Sequence, residues 1–326
     1  MYLHVGAPTE WWWFTGTLHS GSRTFGFEIN AASFVGQGFA FSQLSLTDVK
    51  NQQHYERTTP YLPGKAFNGS TWAESNPGKS WYARLGTSTK KLNWVSAHAP
   101  ASNPTKEIHV KAVLVDDPTM KRITYDLTFS QVGMPFYVWG TGVDPQATRA
   151  SLIDDNYYFS LTHLQATGSI SVGGTKYPVR GVTWMDHEYG QFGSLNHPVQ
   201  WILQDFQLSN GWSISNVGVV ANGKIPKLNV PFGGYATLES PDGKAYLVES
   251  SVTPNGDTWT SPQSGKTYFT SLQVNIPIFN AQLLATSLVK SQEFPGTVPI
   301  YEGVATAQGT FQGKPASAQA WIEETF

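Results

Sequence analysis

The chain contains no cysteine. That excludes disulfides, thiolate nucleophiles, iron–sulfur clusters and thiolate-ligated zinc. It leaves the compartment open, export with a leader outside this chain included, although Met1-Tyr2-Leu3-His4 has neither the basic nor the apolar region of a signal peptide. Charge is scarce too. Only 13% of residues are charged and the formal net charge is −2, so no basic field is available to hold a phosphate backbone or an anionic membrane. No apolar run approaches the roughly 20 residues of a membrane-spanning helix. Neither a nucleic-acid partner nor an integral membrane segment is expected.

Common catalytic motifs are also missing. Gly78-Lys79-Ser80 and Gly265-Lys266-Thr267 end like phosphate-binding loops, but Ala73 and Thr260 stand where the first glycine belongs. Gly36-Gln37-Gly38 has Phe41 in place of its third glycine. There is no Gly-x-Ser-x-Gly elbow and no His-Glu-x-x-His helix. His187 has only His197 near it in sequence, which is no metal-ligand set. These absences predict a protein without metal or organic cofactor.

What the chain has is aromatic surface: 12 Trp, 14 Tyr and 18 Phe. That richness favours sheet faces or a site for an apolar small molecule. In KRITYDLTFS, Ile123, Tyr125, Leu127 and Phe129 alternate with polar residues, the period of a half-buried strand. Asn68-Gly69, Gly173-Gly174, Asn210-Gly211, Asn222-Gly223, Asp242-Gly243 and Asn255-Gly256 read as hairpin turns. No segment shows sustained helical periodicity with caps. The fold class is all-β. At 326 residues two domains are expected, and the turn-rich stretch from Gln131 to Asn156 places the boundary near residue 145, giving 1–145 and 146–326. A faint echo, Trp11 to Phe14 before Gly16 and Tyr157 to Phe159 before Gly168, suggests two similar halves.

Two segments concentrate chemistry. Residues 10–16, EWWWFTG, set Glu10 beside three tryptophans, whose rings must alternate between the two faces of a strand. Residues 181–190, GVTWMDHEYG, read as a strand with Val182, Trp184, Asp186 and Glu188 on one face and Thr183, Met185, His187 and Tyr189 on the other. An acid wedged among large rings is poorly solvated, and its pKa rises until it can carry a proton at neutral pH. The structural alternatives are that Asp186 and Glu188 accept bonds from backbone N–H groups or Arg180, that His187 is a core histidine, and that Glu10 pairs with a lysine.

Glu10 to Gly16, Trp184 to Gly190 and the closing Tyr301-Glu302-Gly303 resemble the lipocalin-like family of the carotenoid 1,2-hydratases. Its relatives include exported bacterial proteins labelled secreted hydrolases, a fungal hydratase of the isoflavonoid kievitone, and fungal Diels–Alderases. The resemblance spans nearly the whole chain and implies two lipocalin-like antiparallel β-barrel halves packed together, a ligand cavity and no cofactor. Where the carotenoid hydratases carry His-x-Trp and Tyr-x-Asp, the nearest positions here are Tyr157-Tyr158-Phe159 and Trp184-Met185-Asp186. Only Asp186 carries over.

The resulting expectation is a cofactor-independent hydratase of an apolar unsaturated compound, isoprenoid or prenylated. Asp186 donates a proton to carbon, Glu188 or Glu10 orients the water, His187 holds the acid, and Trp12, Trp184, Tyr157, Phe159 and Tyr189 line the substrate site. A pericyclase folding a polyene, and a carrier that turns nothing over, are the alternatives.

Overall fold

The structure is a computed structural model of the chain, and it describes residues 1–4, 6–34, 38–61, 73–76, 80–86, 93–146, 151–192, 200–220, 224–296 and 298–325. The protein is nearly all β. Among the described residues helix is confined to three short 3-10 turns, and no helix is long and apolar enough to cross a membrane. Asn68-Gly69, Asn222-Gly223 and His197 lie outside the described residues.

The strands run in chain order as β1 (Thr9–Ser20), β2 (Arg23–Phe34), β3 (Phe39–Asp48), β4 (Gln53–Tyr61), β5 (Ala73–Asn76), β6 (Ser80–Leu85), β7 (Trp94–Pro100), β8 (Ile108–Val115), β9 (Arg122–Gln131), β10 (Phe136–Tyr137), β11 (Asn156–Val172) and β12 (Thr175–Gly190). They continue as β13 (Trp201–Leu208), β14 (Ser213–Val219), β15 (Phe232–Glu239), β16 (Ala245–Pro254), β17 (Thr258–Thr260), β18 (Thr267–Phe269), β19 (Ser271–Ile276), β20 (Ala281–Ser287), β21 (Glu293–Phe294), β22 (Ile300–Phe311) and β23 (Lys314–Glu324). Two compact units result: Met1–Pro135 with Gly142–Phe192, and Phe136–Thr141 with Gly193–Phe326.

The boundary expected near residue 145 is therefore displaced. The turn-rich stretch is a real connection, but the chain then returns to the first sheet, where the long hairpin β11–β12 hydrogen-bonds between β1 and β9. Seventeen residues of β11 and sixteen of β12 belong there. The echo between Trp11–Phe14 and Tyr157–Phe159 links two strands that flank β12 in one sheet, rather than two domains.

The first sheet runs β4-β3-β2-β1-β12-β11-β9-β8-β7-β6-β5, all antiparallel, and one face covers a single apolar core. Period-two patterning explains that face. Trp12, Phe14, Phe25, Phe27, Ile29, Leu127, Phe129, Leu161 and Met185 point into the core and their sequence neighbours point away. β11 carries one extra residue between Leu161 and Leu164, a bulge that keeps both leucines on the core side. Further along β11, Gly168 has φ +143°, and a Cβ there would lie 2.1 Å from the carbonyl oxygen of Asp126. Gly168→Ala is expected to lower stability by about 1–3 kcal/mol or more, read as a drop in Tm, because this backbone region is nearly closed to other residues.

In the second unit β13, β14, β15, β16, β19, β20, β22 and β23 close into an eight-stranded barrel through the β20–β22 pairing. Ile202, Phe206, Leu238, Tyr268, Leu272, Leu283, Tyr301 and Ile322 fill it. Gly173-Gly174, Asn210-Gly211 and Asp242-Gly243 do turn hairpins. Asn255-Gly256 does not, since β16 pairs with β19 and β17 with β18. Gly265-Lys266-Thr267 leads into β18, where a phosphate loop would need a helix.

Candidate functional site

β12 distributes the chemistry of GVTWMDHEYG onto two faces, and its neighbours complete each face. Across β1, Trp11 pairs with Glu188, Trp13 with Asp186 and Thr15 with Trp184, while across β11, Tyr158 pairs with Glu188 and Ser160 with Asp186. Paired residues of an antiparallel sheet share a side. The face opposite the core therefore holds Trp11, Trp13, Tyr158, Ser160, Trp184, Asp186 and Glu188. The core face holds Glu10, Trp12, Tyr157, Phe159, His187 and Tyr189 in the corresponding pairs. The residues expected to form one site form two.

Asp186 sits at the centre of the first group. Its Oδ1 accepts the Ser160 hydroxyl at 2.5 Å and the Trp184 indole N–H at 2.8 Å. Burial pushes its carboxyl up to about 6, and the bonds from Ser160, Trp184 and Tyr158 oppose that rise only in part. The residue as a whole is half-buried, while its carboxyl is poorly solvated. Among the described residues, Arg180 is not one of the donors to Asp186, which are the Ser160 hydroxyl, the Trp184 indole and Tyr158. Glu188 is buried two residues on and accepts the side-chain amide of Asn156.

A wall of rings adjoins this acid. Trp13 stands edge-on to Trp11 at 6.4 Å and to Phe41 at 6.4 Å, and Phe34 stacks on Trp11 at 5.9 Å and on Phe39 at 5.3 Å. Trp13, Phe34, Phe39 and Phe41 are only half-buried. Polar groups continue the face beyond Trp13: Asn30, its pairing partner, receives the backbone N–H of Gln43 on Oδ1 at 2.8 Å and donates to Glu28 at 3.1 Å. Sequence reasoning missed Trp13, Ser160, Tyr158, Phe34, Phe39 and Phe41 as site residues. Strand alternation from Asp186 would put Trp184 beside it, but only the pairing register brings Trp13 and Ser160 there.

The second group surrounds His187, which is fully buried and faces away from Asp186, so it does not hold that acid as expected. Its Nδ1 lies 2.9 Å from the Trp11 carbonyl oxygen. Trp12 packs 4.6 Å and Phe159 5.2 Å from its ring. Trp12 also stacks on Trp81 at 5.9 Å and is 1% exposed, which makes it a core residue and not a cavity lining. Tyr189 stacks between His4 at 3.5 Å and Tyr157 at 5.1 Å. Among the described residues, Glu10 pairs with no lysine. Its carboxylate takes the His4 backbone N–H at 3.1 Å on each oxygen, and Oε1 lies 2.9 Å from His4 Nδ1 and 3.3 Å from His187 Nε2. Burial alone would raise the Glu10 pKa, but the contacts with His187 and His4 outweigh it and hold the group below its ordinary value. Burial pushes His187 down to about 4.

In the second unit the closing motif splits the same way. Tyr301 enters the barrel core, and Glu302 on the other face accepts the Trp321 indole N–H at 2.5 Å. Gly303 leaves room for the Tyr301 ring, since a Cβ would come within 2.5 Å of it.

A search among curated proteins finds no match. Solved structures do match. An AttH of Nitrosomonas europaea is 17% identical and superposes with a TM-score of 0.71 over 99% of this chain and 94% of that one. Kievitone hydratase from Nectria haematococca, also 17% identical, gives 0.72 over 97% and 88%. CghA, solved alone and with Sch210972, is 11% identical and gives 0.52 over 98% and 88%. These likenesses concern the fold. The family model described as AttH-like matches residues 1–323, and with that span the chain belongs to the AttH-like family.

Proposed function

We propose that the chain is a hydratase adding water across a carbon–carbon double bond of an apolar unsaturated small molecule, isoprenoid or prenylated, with Asp186 as the proton donor. One observation carries the reading: a poorly solvated carboxyl with a raised pKa, on a half-buried residue beside a wall of half-buried rings. Protonating an alkene carbon creates a cation, and the ring faces of Trp13 and its neighbours are placed to stabilise that cation. Ser160 and Trp184 bond Oδ1, Tyr158 also bonds the carboxyl, and together they hold the acid in place. Glu188, on the same face, orients the water that attacks the cation and takes up the proton that water loses, and Asp186 is reprotonated from solvent. Glu10 and His187 take no part in these steps, because they face the core. No step draws on a cofactor.

The likeness to kievitone hydratase supports a hydration, and the AttH-like membership is compatible with it. A pericyclase reading has its own support in the same wall of rings, which could fold a polyene with little acid–base chemistry. The test runs in deuterium oxide enriched in oxygen-18, on a panel of terpenoids, polyenes and prenylated aromatics screened for binding and for any change of mass or retention time. Both the proton and the hydroxyl come from solvent, so the product should carry one carbon-bound deuterium and one heavy oxygen. An isomeric product without label would replace the hydratase with a pericyclase, and a ligand recovered unchanged would leave a carrier.

A further inference from the structure

Among the described residues, His4, Glu10 and His187 place one ligand-type atom each within 4.8 Å of one another. They come from the segment before β1, from β1 and from β12, so no sequence spacing announces them. We infer that this cluster is a binding site for a divalent transition-metal ion of zinc type, held by Glu10 Oε1, His187 Nε2 and His4 Nδ1. The inference stands apart from the proposed hydration, since the cluster lies on the core face of β12 and Asp186 on the other.

The argument begins with His187. The Trp11 carbonyl oxygen 2.9 Å from Nδ1 can only accept, so Nδ1 carries the hydrogen and a neutral ring presents the lone pair of Nε2. That Nε2 is buried, makes no hydrogen bond of good geometry, and lies 3.3 Å from Glu10 Oε1. A buried ring lone pair this close to a carboxylate oxygen gains nothing from it, and a cation held by both atoms converts the proximity into ligation. Ligating histidines characteristically donate their other ring N–H to a backbone carbonyl, which is the arrangement His187 already has with Trp11.

Glu10 and His4 complete the set. The His4 backbone N–H, shared between both Glu10 oxygens, orients the carboxylate, and the stack of His4 on Tyr189 fixes the imidazole plane. Zinc at its usual bond lengths of about 2.0–2.2 Å in a tetrahedron spaces ligand atoms about 3.3 Å apart. The 2.9 and 3.3 Å separations from Glu10 Oε1 need only small adjustment to reach that. Two imidazoles and one carboxylate suit zinc, cobalt, nickel or copper and not calcium or magnesium. The ion would clamp the segment carrying His4 onto β1 and β12.

The experiment uses the full chain, freed of metal by chelator and dialysed, and titrated with Co2+ as a visible reporter. One Co2+ per chain is expected, with the visible absorption of a tetrahedral N/O site, displaced by Zn2+. Because the ion binds only the folded state, Zn2+ should also raise Tm. Glu10→Gln and His4→Ala should weaken binding by more than the roughly 10–100-fold that losing an outer-shell partner costs. His4 is partly exposed, so His4→Ala should fold even where Glu10→Gln does not, and circular dichroism checks both. A parent chain that takes up no stoichiometric Co2+ overturns the inference. Undiminished binding in both variants does so too, and would move the ion elsewhere, for example to the exposed His98–His109 pair on β7 and β8.

Discussion

Asp186→Asn should abolish turnover while leaving the fold intact. Asparagine has the shape of aspartic acid and keeps a side-chain oxygen for the Ser160 hydroxyl and the Trp184 indole N–H, so the local bonds survive. What disappears is the transferable proton. Losing a positioned general acid costs about 10²–10⁴ in rate, and the loss should appear in kcat with KM nearly unchanged, because the ring wall that holds the substrate is untouched. A variant that melts far below the parent would make Asp186 a structural residue. An undiminished rate would remove it from the mechanism and favour the pericyclase.

The route from sequence to this site shows which layer of information each feature occupies. The all-β class, the strand at 181–190 and the sharing of one face by Trp184, Asp186 and Glu188 follow from a period of two, which is local and legible. The same rule separates His187 from Asp186, and applying it strictly would have barred His187 from holding that acid. The partners Trp13 and Ser160 depend on how β12 is registered between β1 and β11. Register is set by the packing of whole strands and leaves no local mark. The domain boundary was misplaced for a related reason. A turn-rich connection marks where the chain leaves a sheet, but not that β11 and β12 come back to it. His4 was invisible because its chemistry exists only once Glu10 and His187 are folded against it.

The three tryptophans of EWWWF allow that division to be tested within one short stretch. Trp12 lies in the core, 1% exposed and stacked on Trp81 and against His187. Its truncation leaves a large cavity, so Trp12→Ala should lose about 3–5 kcal/mol of stability, a large share of the roughly 5–15 kcal/mol of an ordinary domain. Trp13, one residue on, points to the opposite face, is half-buried, and stands across from Asp186. Trp13→Leu keeps an apolar side chain but removes the ring. It should leave Tm within a few degrees of the parent while lowering kcat about tenfold, the order expected from losing a desolvated cation–π contact of roughly 1–2 kcal/mol. Chemical denaturation and turnover, measured on both variants, separate the two roles. If Trp13→Leu destabilises as strongly as Trp12→Ala, the wall is packing and not a cation-stabilising surface. If Trp13→Leu is as active as the parent, the cation forms elsewhere or no cation forms, and the hydration mechanism loses the feature that joins its acid to its aromatics.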